Sequence, residues 1–197
     1  MNPSPVRVLC LHGCNQTEEM FRSLLKGLIK IAGKTKLEFH FIEAQYSHSL
    51  GGKTWYSEEL DVSQIPIGIP FSTMVQSCMA QVHKYVTEHQ IDVLLGFSQG
   101  GNVVDTYLRR YDETRIKRAV IFSGYELVRA ETERSLQTPL LNVYSDADTV
   151  VPSKCCPKHY QTIYSLSHDK GHKLPTSNPV LRQICRFMEQ GTWETTT

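Results

Sequence analysis

Residues 94–101 read Leu94-Leu95-Gly96-Phe97-Ser98-Gln99-Gly100-Gly101, which is the most informative segment of the chain. An apolar run from Ile91 precedes it and predicts a buried strand, and apolar residues at helical spacing after it predict a helix. A serine between two glycines at a strand-to-helix turn is typical of a nucleophile elbow, whose strained turn makes the serine hydroxyl stand clear of the sheet. Gly96 and Gly100 remove the Cβ atoms that would collide across such a turn. We therefore predict that Ser98 is a nucleophile.

A serine nucleophile needs partners, because a free hydroxyl reacts poorly at neutral pH without a base, and the base needs an orienting acid. Behind an elbow of this kind the partners follow in the order serine, acid, histidine. The search is therefore confined to the residues after Ser98. The candidate acids are Asp105, Asp112, Asp146 and Asp148, and the candidate histidines are His159, His168 and His172.

The position of the acids in the pattern favours Asp148. Residues 139–145 predict a buried strand, and Asp146 and Asp148 lie in the loop at its carboxyl end, where open α/β sheets place their chemistry. We expect Asp146 to cap this loop by accepting bonds from backbone amides. Asp105 and Asp112 lie in the predicted helix after Ser98, or at its end, and should point away from the elbow.

Among the histidines, His172 is favoured. It lies in a loop between a glycine and a proline, just ahead of the last predicted helix, and a loop there can reach back over the sheet edge to Ser98. His168 is the alternative, but it directly follows the strand predicted over residues 162–166. His159 is expected on the surface of a helix.

An acyl-transfer site also needs backbone N–H groups that bind the developing oxyanion. One donor is the residue after the nucleophile, here Gln99. The other should come from the loop after an early strand, and residues 6–11 form such a strand. In the loop that follows it, Cys14 is our first choice and Asn15 the second, whereas His12 is expected to brace the loop by hydrogen bonding.

Strands and helices alternate along the chain, which predicts a three-layer α/β fold: a mostly parallel sheet of about six strands with helices on both faces. The last helix is predicted to have Asn178 as its N-cap and Pro179 at its first position. We expect a single domain over residues 1–197, with residues 192–197 as a flexible tail. The predicted strands cover residues 6–11, 37–42, 91–95, 117–122, 139–145 and 162–166; the other predicted helices cover about 18–32, 75–86 and 99–111.

Residues 43–71 break this alternation, because they carry glycines and prolines without long helical or strand periodicity. A loop of this length in a compact domain is usually functional or disordered, and its apolar content argues against simple disorder. We expect a partial cover whose aromatic side chains line a substrate pocket, without a large lid domain; packing for stability alone is the alternative. The predicted pocket residues are Tyr46, Trp55, Tyr56 and Phe71.

The charges of the chain nearly balance, with 21 Lys and Arg against 20 Asp and Glu. Nothing in this balance favours nucleic acid or an anionic membrane as a partner. No apolar run approaches the roughly 20 residues of a membrane span, and the N-terminus has no signal-peptide pattern, so we expect a cytosolic or nucleocytoplasmic protein. The six cysteines lack paired C-x₂-C spacing and are expected to be free thiols, without a metal.

Four motifs in order give the chain a family resemblance. Together they resemble the signatures of the family of serine hydrolases (FSH) in the α/β-hydrolase superfamily, over about residues 6–190. The resemblance implies an α/β-hydrolase fold, a triad of Ser98, Asp148 and His172, and hydrolysis of carboxylic esters without a cofactor. The motifs are Leu11-His12-Gly13-x-x-Gln16, Gly96-Phe97-Ser98-Gln99-Gly100-Gly101, Asp148-x-Val150-Val151-Pro152 and Gly171-His172-x-x-Pro175.

The function expected from these residues and the resemblance is that of a serine carboxylesterase, which acts on small to medium acyl esters through an acyl-enzyme. The missing large lid argues against long lipid substrates. Two alternatives remain: an acyl-thioesterase with the same triad, and a hydrolase-like receptor that binds a small ester-like ligand without turnover.

Overall fold

The computed structural model describes residues 4–33, 35–56, 73–111, 115–126 and 135–193. Predicted features at Asp112, at residues 57–71 with Phe71, and at residues 194–197 lie outside these ranges. The elements of the described chain are β1 (Val6–Leu11), α1 (Glu18–Leu24), α2 (Lys26–Ala32), β2 (Leu37–Ile42), β3 (Tyr46–Ser47), β4 (Lys53–Thr54), α3 (Thr73–Glu88), β5 (Val93–Phe97), α4 (Gln99–Tyr111), β6 (Arg118–Phe122), β7 (Leu140–Tyr144), β8 (Ile163–Ser167) and α5 (Asn178–Gln190).

The main sheet has six strands in the order β2-β1-β5-β6-β7-β8, and every neighbouring pair is parallel. The strands therefore end at one common edge. Phe97 at the end of β5 is paired with Phe122 at the end of β6, which is paired in turn with Val143 of β7. β3 and β4 form a separate antiparallel hairpin.

Helices cover both faces of the sheet. Successive side chains of a strand point to opposite faces, and the central strands are apolar at consecutive positions, so each face has apolar side chains to bury. Leu94 packs with α3 and α4, whereas Leu95 packs with α1, α2 and α5, and both are fully buried. This arrangement confirms the predicted three-layer α/β class.

Two helix predictions were wrong in detail. The first predicted helix is divided at Leu25 into α1 and α2, and Leu24, which fits the apolar helical spacing, is 53% exposed. The break lets Phe21 and Leu28 face the core together. In α5 the N-cap is Ser177, one residue earlier than predicted, because Ser177 is still extended and its carbonyl already accepts the first helical bond.

The structure can be compared with two expectations from the sequence, on the state of the cysteines and on membrane-spanning helices. Cys10, Cys78 and Cys185 are buried, and all six cysteines are free thiols, as we predicted. Within the ranges that the structure describes, no helix combines the length and the apolar character that crossing a lipid bilayer requires.

Candidate active site

Ser98 lies at a sharp turn between β5 and α4, with a left-handed backbone at φ +53°. A Cβ on Gly96 would come within 2.3 Å of the Gly100 carbonyl oxygen. A Cβ on Gly100 would come within 2.1 Å of the carbonyl oxygen of Leu11 in β1. The turn can therefore form only with glycine at both positions. The Ser98 N–H donates to the Phe122 carbonyl oxygen at 2.9 Å, which fixes the turn to the neighbouring strand.

The structure brings together the three side chains predicted to act with one another. His172 Nε2 lies 3.0 Å from Ser98 Oγ, and His172 Nδ1 lies 2.8 Å from Asp148 Oδ2. Because an ionised carboxylate can only accept, Nδ1 carries the ring proton and Nε2 is left to accept from the serine hydroxyl. The three residues follow the carboxyl ends of β5, β7 and β8, so parallel strands place them at one edge of the sheet.

Asp148 is held as a carboxylate by donors around it. Its side chain is 1% exposed, and Oδ1 accepts the backbone N–H groups of Val150 at 2.9 Å and Val151 at 2.8 Å. Burial acts to raise the pKa of Asp148, but hydrogen bonds led by those from the Val151 amide and His172 outweigh it and leave that pKa below its usual value. At neutral pH the imidazole therefore faces a negative charge.

The loop bonds that we predicted for Asp146 are made by other residues. Ser145 Oγ accepts the N–H groups of Ala147 at 3.3 Å and Gly171 at 3.2 Å, so it ties the loop of the acid to the loop of the histidine. Asp146 is exposed, and Asp148 itself accepts from the following amides. The prediction for Asp146 was wrong because a buried serine is better placed between the two loops.

Asp105, another candidate acid in the described ranges, binds partners away from the elbow. It is fully buried on α4, 2.7 Å from Arg109 Nε, and accepts from the Tyr160 hydroxyl at 2.9 Å. Burial raises the pKa of Asp105, although Arg109 and the Tyr160 hydroxyl oppose the shift. Its contacts are those of an internal ion pair.

The two alternative histidines have other contacts. His168 Nδ1 accepts the Lys170 N–H at 3.2 Å. His159 lies in irregular chain rather than on the predicted helix, 3.6 Å from Glu126. The helix prediction failed there because Pro152 and Pro157 interrupt the segment, and proline does not continue a helix.

His12 braces the loop after β1, as we predicted. Its Nε2 accepts the N–H of Ala44 at 3.1 Å, so the proton is on Nδ1, which donates to the Gly13 carbonyl oxygen at 2.8 Å. Burial lowers the pKa of His12, which keeps the ring neutral and allows it to accept and donate at once.

The loop that carries Cys14 is held from both sides. Gln16 Oε1 accepts the Gly13 N–H at 2.9 Å, and Asn15 has a left-handed backbone with φ +58°. Asn15 Oδ1 accepts the Gly52 N–H at 3.0 Å, which joins the loop to the β3–β4 hairpin. The second predicted donor, Gln99, is the first residue of α4, where a backbone N–H has no acceptor within the helix.

Residues 43–56 pack against the Cys14 loop. The aromatic residues that we predicted to line a pocket are not equally exposed. Trp55 and Tyr56 are buried, and Trp55 Nε1 donates to the His12 carbonyl oxygen at 2.8 Å. Tyr46 is partly buried in β3. Phe71, the fourth predicted pocket residue, lies outside the described ranges.

Sequence reasoning missed the role of two polar side chains on α4. Gln99 Oε1 accepts the Trp55 N–H at 3.0 Å, and Asn102 Oδ1 accepts from the Tyr56 hydroxyl. Both side chains are buried. A signal existed: residues 99 and 102 are polar at helical spacing in a helix that the pattern predicts to be packed on the sheet, which indicates buried polar partners.

The site of Ser98, His172 and Asp148 has apolar aromatic side chains on one side. The Phe97 ring lies 5.1 Å from the His172 ring, centroid to centroid, and 6.4 Å from the Phe21 ring. Among the residues that the structure describes, no three His, Cys, Asp or Glu side chains are grouped so that they could hold a metal ion.

The chain resembles known proteins over nearly its whole length. A family model described as serine hydrolase (FSH1) matches residues 1–184. Esterase C25G4.2 of Caenorhabditis elegans is 26% identical over 213 residues, which cover 94% of this chain and 93% of the relative. The protein named family of serine hydrolases 3 of Saccharomyces cerevisiae is 25% identical over 226 residues, which cover 93% of this chain and 83% of the relative.

Solved structures show the same fold. A carboxylesterase from Mesorhizobium loti superposes with a TM-score of 0.71 at 15% identity, over 95% of this chain and 90% of that chain. Esterase PE8 superposes with a TM-score of 0.70 at 18% identity, over 94% of this chain and 92% of that chain. At these identities the likeness concerns the α/β-hydrolase fold alone. Because the family model takes in residues 1–184 of 197, the chain belongs to the FSH1 serine hydrolase family.

Proposed function

We propose that the protein is a serine carboxylesterase that hydrolyses small to medium acyl esters through Ser98, His172, Asp148 and an acyl-enzyme. The observation that carries the proposal is the unbroken series of contacts from Asp148 Oδ2 to His172 Nδ1 at 2.8 Å and from His172 Nε2 to Ser98 Oγ at 3.0 Å. The curated relatives named as esterases agree with it.

In the acylation half of the reaction, Ser98 Oγ attacks the carbonyl carbon of the ester while its proton passes to His172 Nε2. Asp148 stays ionised and stabilises the imidazolium that forms. The carbonyl oxygen becomes an oxyanion, which the backbone N–H groups of Gln99 and Cys14 bind. The intermediate then collapses, the alkoxide leaves with the proton of His172, and the acyl group remains on Ser98.

Deacylation repeats these steps with water. His172 Nε2 takes a proton from the water as its oxygen attacks the acyl carbon, and the same two N–H groups bind the second oxyanion. The collapse returns the proton to Ser98 Oγ and releases the carboxylic acid. Water and the ester are the only reactants, so we propose no cofactor.

The substrate class is inferred from the part of the cover that is described. Residues 43–56 form a short hairpin packed on the Cys14 loop rather than a helical lid. Tyr46 is proposed to contact substrate, and the buried Trp55 and Tyr56 are proposed to support the hairpin that carries it. Phe71, outside the described residues, stays a proposed pocket residue. We also infer a cytosolic or nucleocytoplasmic location, since six free thiols suit a reducing compartment.

A fluorophosphonate probe and a series of p-nitrophenyl esters of increasing acyl length test this proposal. The wild type should be labelled and should turn over the shorter esters fastest, and Ser98→Ala should lose both properties. Equal labelling of Ser98→Ala would remove the serine from the mechanism. Matched oxygen and sulphur esters show whether the enzyme prefers thioesters.

The histidine assignment is tested with a matched pair of variants. His172→Ala should lower kcat by several orders of magnitude, as removal of a triad member does in other serine hydrolases. His168→Ala, four residues away in the same loop region, should stay within a few-fold of the wild type. The opposite ranking of the two variants would assign the base to His168.

A further inference from the structure

A second strained turn lies beside the elbow, at the end of β6. Ser123 has a left-handed backbone with φ +46°, and its N–H donates to the Val143 carbonyl oxygen at 2.8 Å. A Cβ on the next residue, Gly124, would lie 2.3 Å from the Ile121 side chain and 3.3 Å from the Cα of Gly101. The turn is therefore pressed against the first turn of α4, which fixes its shape.

The place of this turn in the sheet puts Ser123 among the reacting groups. β6 lies between β5, which carries Ser98, and β7, which leads to Asp148. Left-handed backbone is uncommon for residues other than glycine, and strained conformations of this kind collect at functional sites. A glycine would take this conformation without strain, so the serine side chain needs a reason to be there.

The reason lies in what the hydroxyl faces. Ser123 is 1% exposed, and its buried Oγ has no hydrogen-bond partner among the described residues. The Ser123 N–H is bonded to Val143 near the end of β7, and Asp148 lies in the loop that follows this strand, which puts the Asp148 carboxylate beside the turn. A hydrogen bond from Ser123 would act to lower the pKa of that carboxyl. The two oxygens of a carboxylate offer about four acceptor positions, and the Val150, Val151 and His172 N–H groups use three of them.

We propose that Ser123 is a positioning residue whose hydroxyl donates to the Asp148 carboxylate and fixes the orientation in which that carboxylate holds His172. This inference rests on the proposed function of the Ser98 site. A buried hydroxyl without a partner is costly, and this carboxylate has an acceptor position left for it. Ser123 acts through Asp148 and does not touch the ester.

Ser123→Gly is the decisive variant, because glycine removes the hydroxyl and adopts the same φ without strain. We expect kcat to fall about tenfold, the loss typical of one hydrogen bond to a charged group, with KM unchanged. The acid limb of the kcat/KM profile should move to higher pH, because a carboxylate with one donor fewer stabilises the protonated imidazole more strongly. Thermal stability should not fall in parallel.

Ser123→Ala keeps the Cβ and its backbone strain, and it should show the same change of the acid limb with a melting temperature below that of Ser123→Gly. Among the described residues, His168 and Cys156 are further titratable groups near Asp148. His168→Ala and Cys156→Ser are controls for their own titration, and the acid limb should stay in place in both. A wild-type kcat and acid limb in Ser123→Gly would overturn the inference.

A second measurement separates this inference from the proposed function. The signal of the His172 Nδ1 proton, which is donated to Asp148, can be followed by NMR, with His172→Ala used to assign it, and it requires no turnover. Its chemical shift should move in Ser123→Gly. No movement refutes the role of Ser123 even if the wild type is an active esterase, whereas failure of the wild type to react with the probe refutes the proposed function alone.

Discussion

Replacing Gln99 with methionine should destabilise the protein through a hydrogen bond that reaches far along the chain. Gln99 Oε1 accepts the N–H of Trp55 at 3.0 Å, in a buried environment. The side chain also lies 3.0 Å from Thr54 Oγ1, but a hydroxyl has one proton, and the shorter bond to the Tyr56 carbonyl oxygen at 2.6 Å uses it. Gln99→Met keeps the volume and removes the acceptor.

The expected cost follows from the group that is left without a partner. A buried N–H that loses its acceptor costs about 1–3 kcal/mol, and here that N–H is the one of Trp55. In a chain of this size each kcal/mol lowers the melting temperature by about 2–4 °C, so Gln99→Met should melt about 2–12 °C below the wild type. The backbone N–H of residue 99, which we propose binds the oxyanion, is retained in this variant.

Thermal unfolding followed by circular dichroism measures this difference, with chemical denaturation as a second route. Gln190→Met is the matched control, because Gln190 is exposed at the end of α5 and surface substitutions usually change stability by less than about 0.5 kcal/mol. If Gln99→Met and Gln190→Met melt together with the wild type, the Gln99 side chain does not hold the hairpin to the elbow.

Three further results are expected. Gly100→Ala should give no folded, reactive enzyme in circular dichroism or probe labelling, because its Cβ would lie 2.1 Å from the Leu11 carbonyl oxygen; a labelled Gly100→Ala would contradict the elbow geometry. Because the pKa of Asp148 is lowered on folding, its contribution to stability is complete above the unfolded value of about 3.9 and is lost as the pH falls further toward the folded value. The stability difference between the wild type and Asp148→Asn should therefore shrink below about pH 4 in denaturant titrations, and a difference that grows there would refute the sign. Asn15→Ala should lower kcat more than Asn15→Gly, since alanine strains the left-handed backbone and both lose the bond to Gly52, and equal rates would argue against a strained loop.

The fold could be predicted from local patterns to a large extent. The apolar run before Ser98 is buried on both sides, which is the pattern expected of a strand in a parallel sheet covered on both faces. The glycines at 96 and 100 marked the turn, and the structure gives the backbone contacts that require them. The sequence also marked the loops that supply Asp148 and His172, because each loop follows a predicted strand.

Other features depended on contacts that no local pattern contains. Leu24 fits the helical repeat but is exposed, since the division at Leu25 turns the two helices independently toward the core. Asp146 and Ser145 are adjacent polar residues of one loop, and only the nearby Gly171 N–H, 26 positions away, makes Ser145 the one that joins the loops.

Local patterns were enough to show which segments are buried on both faces, where the backbone turns sharply, and which residue types could react. The partners of the polar groups came only from the folded chain: Ser98 contacts His172 across 74 positions, and Gln99 contacts Trp55 across 44. The difference lies in the distance along the chain over which each effect acts. Burial and backbone strain leave periodic or local marks in a sequence, whereas a hydrogen bond needs two atoms about 3 Å apart, which only the completed sheet and its loops bring together.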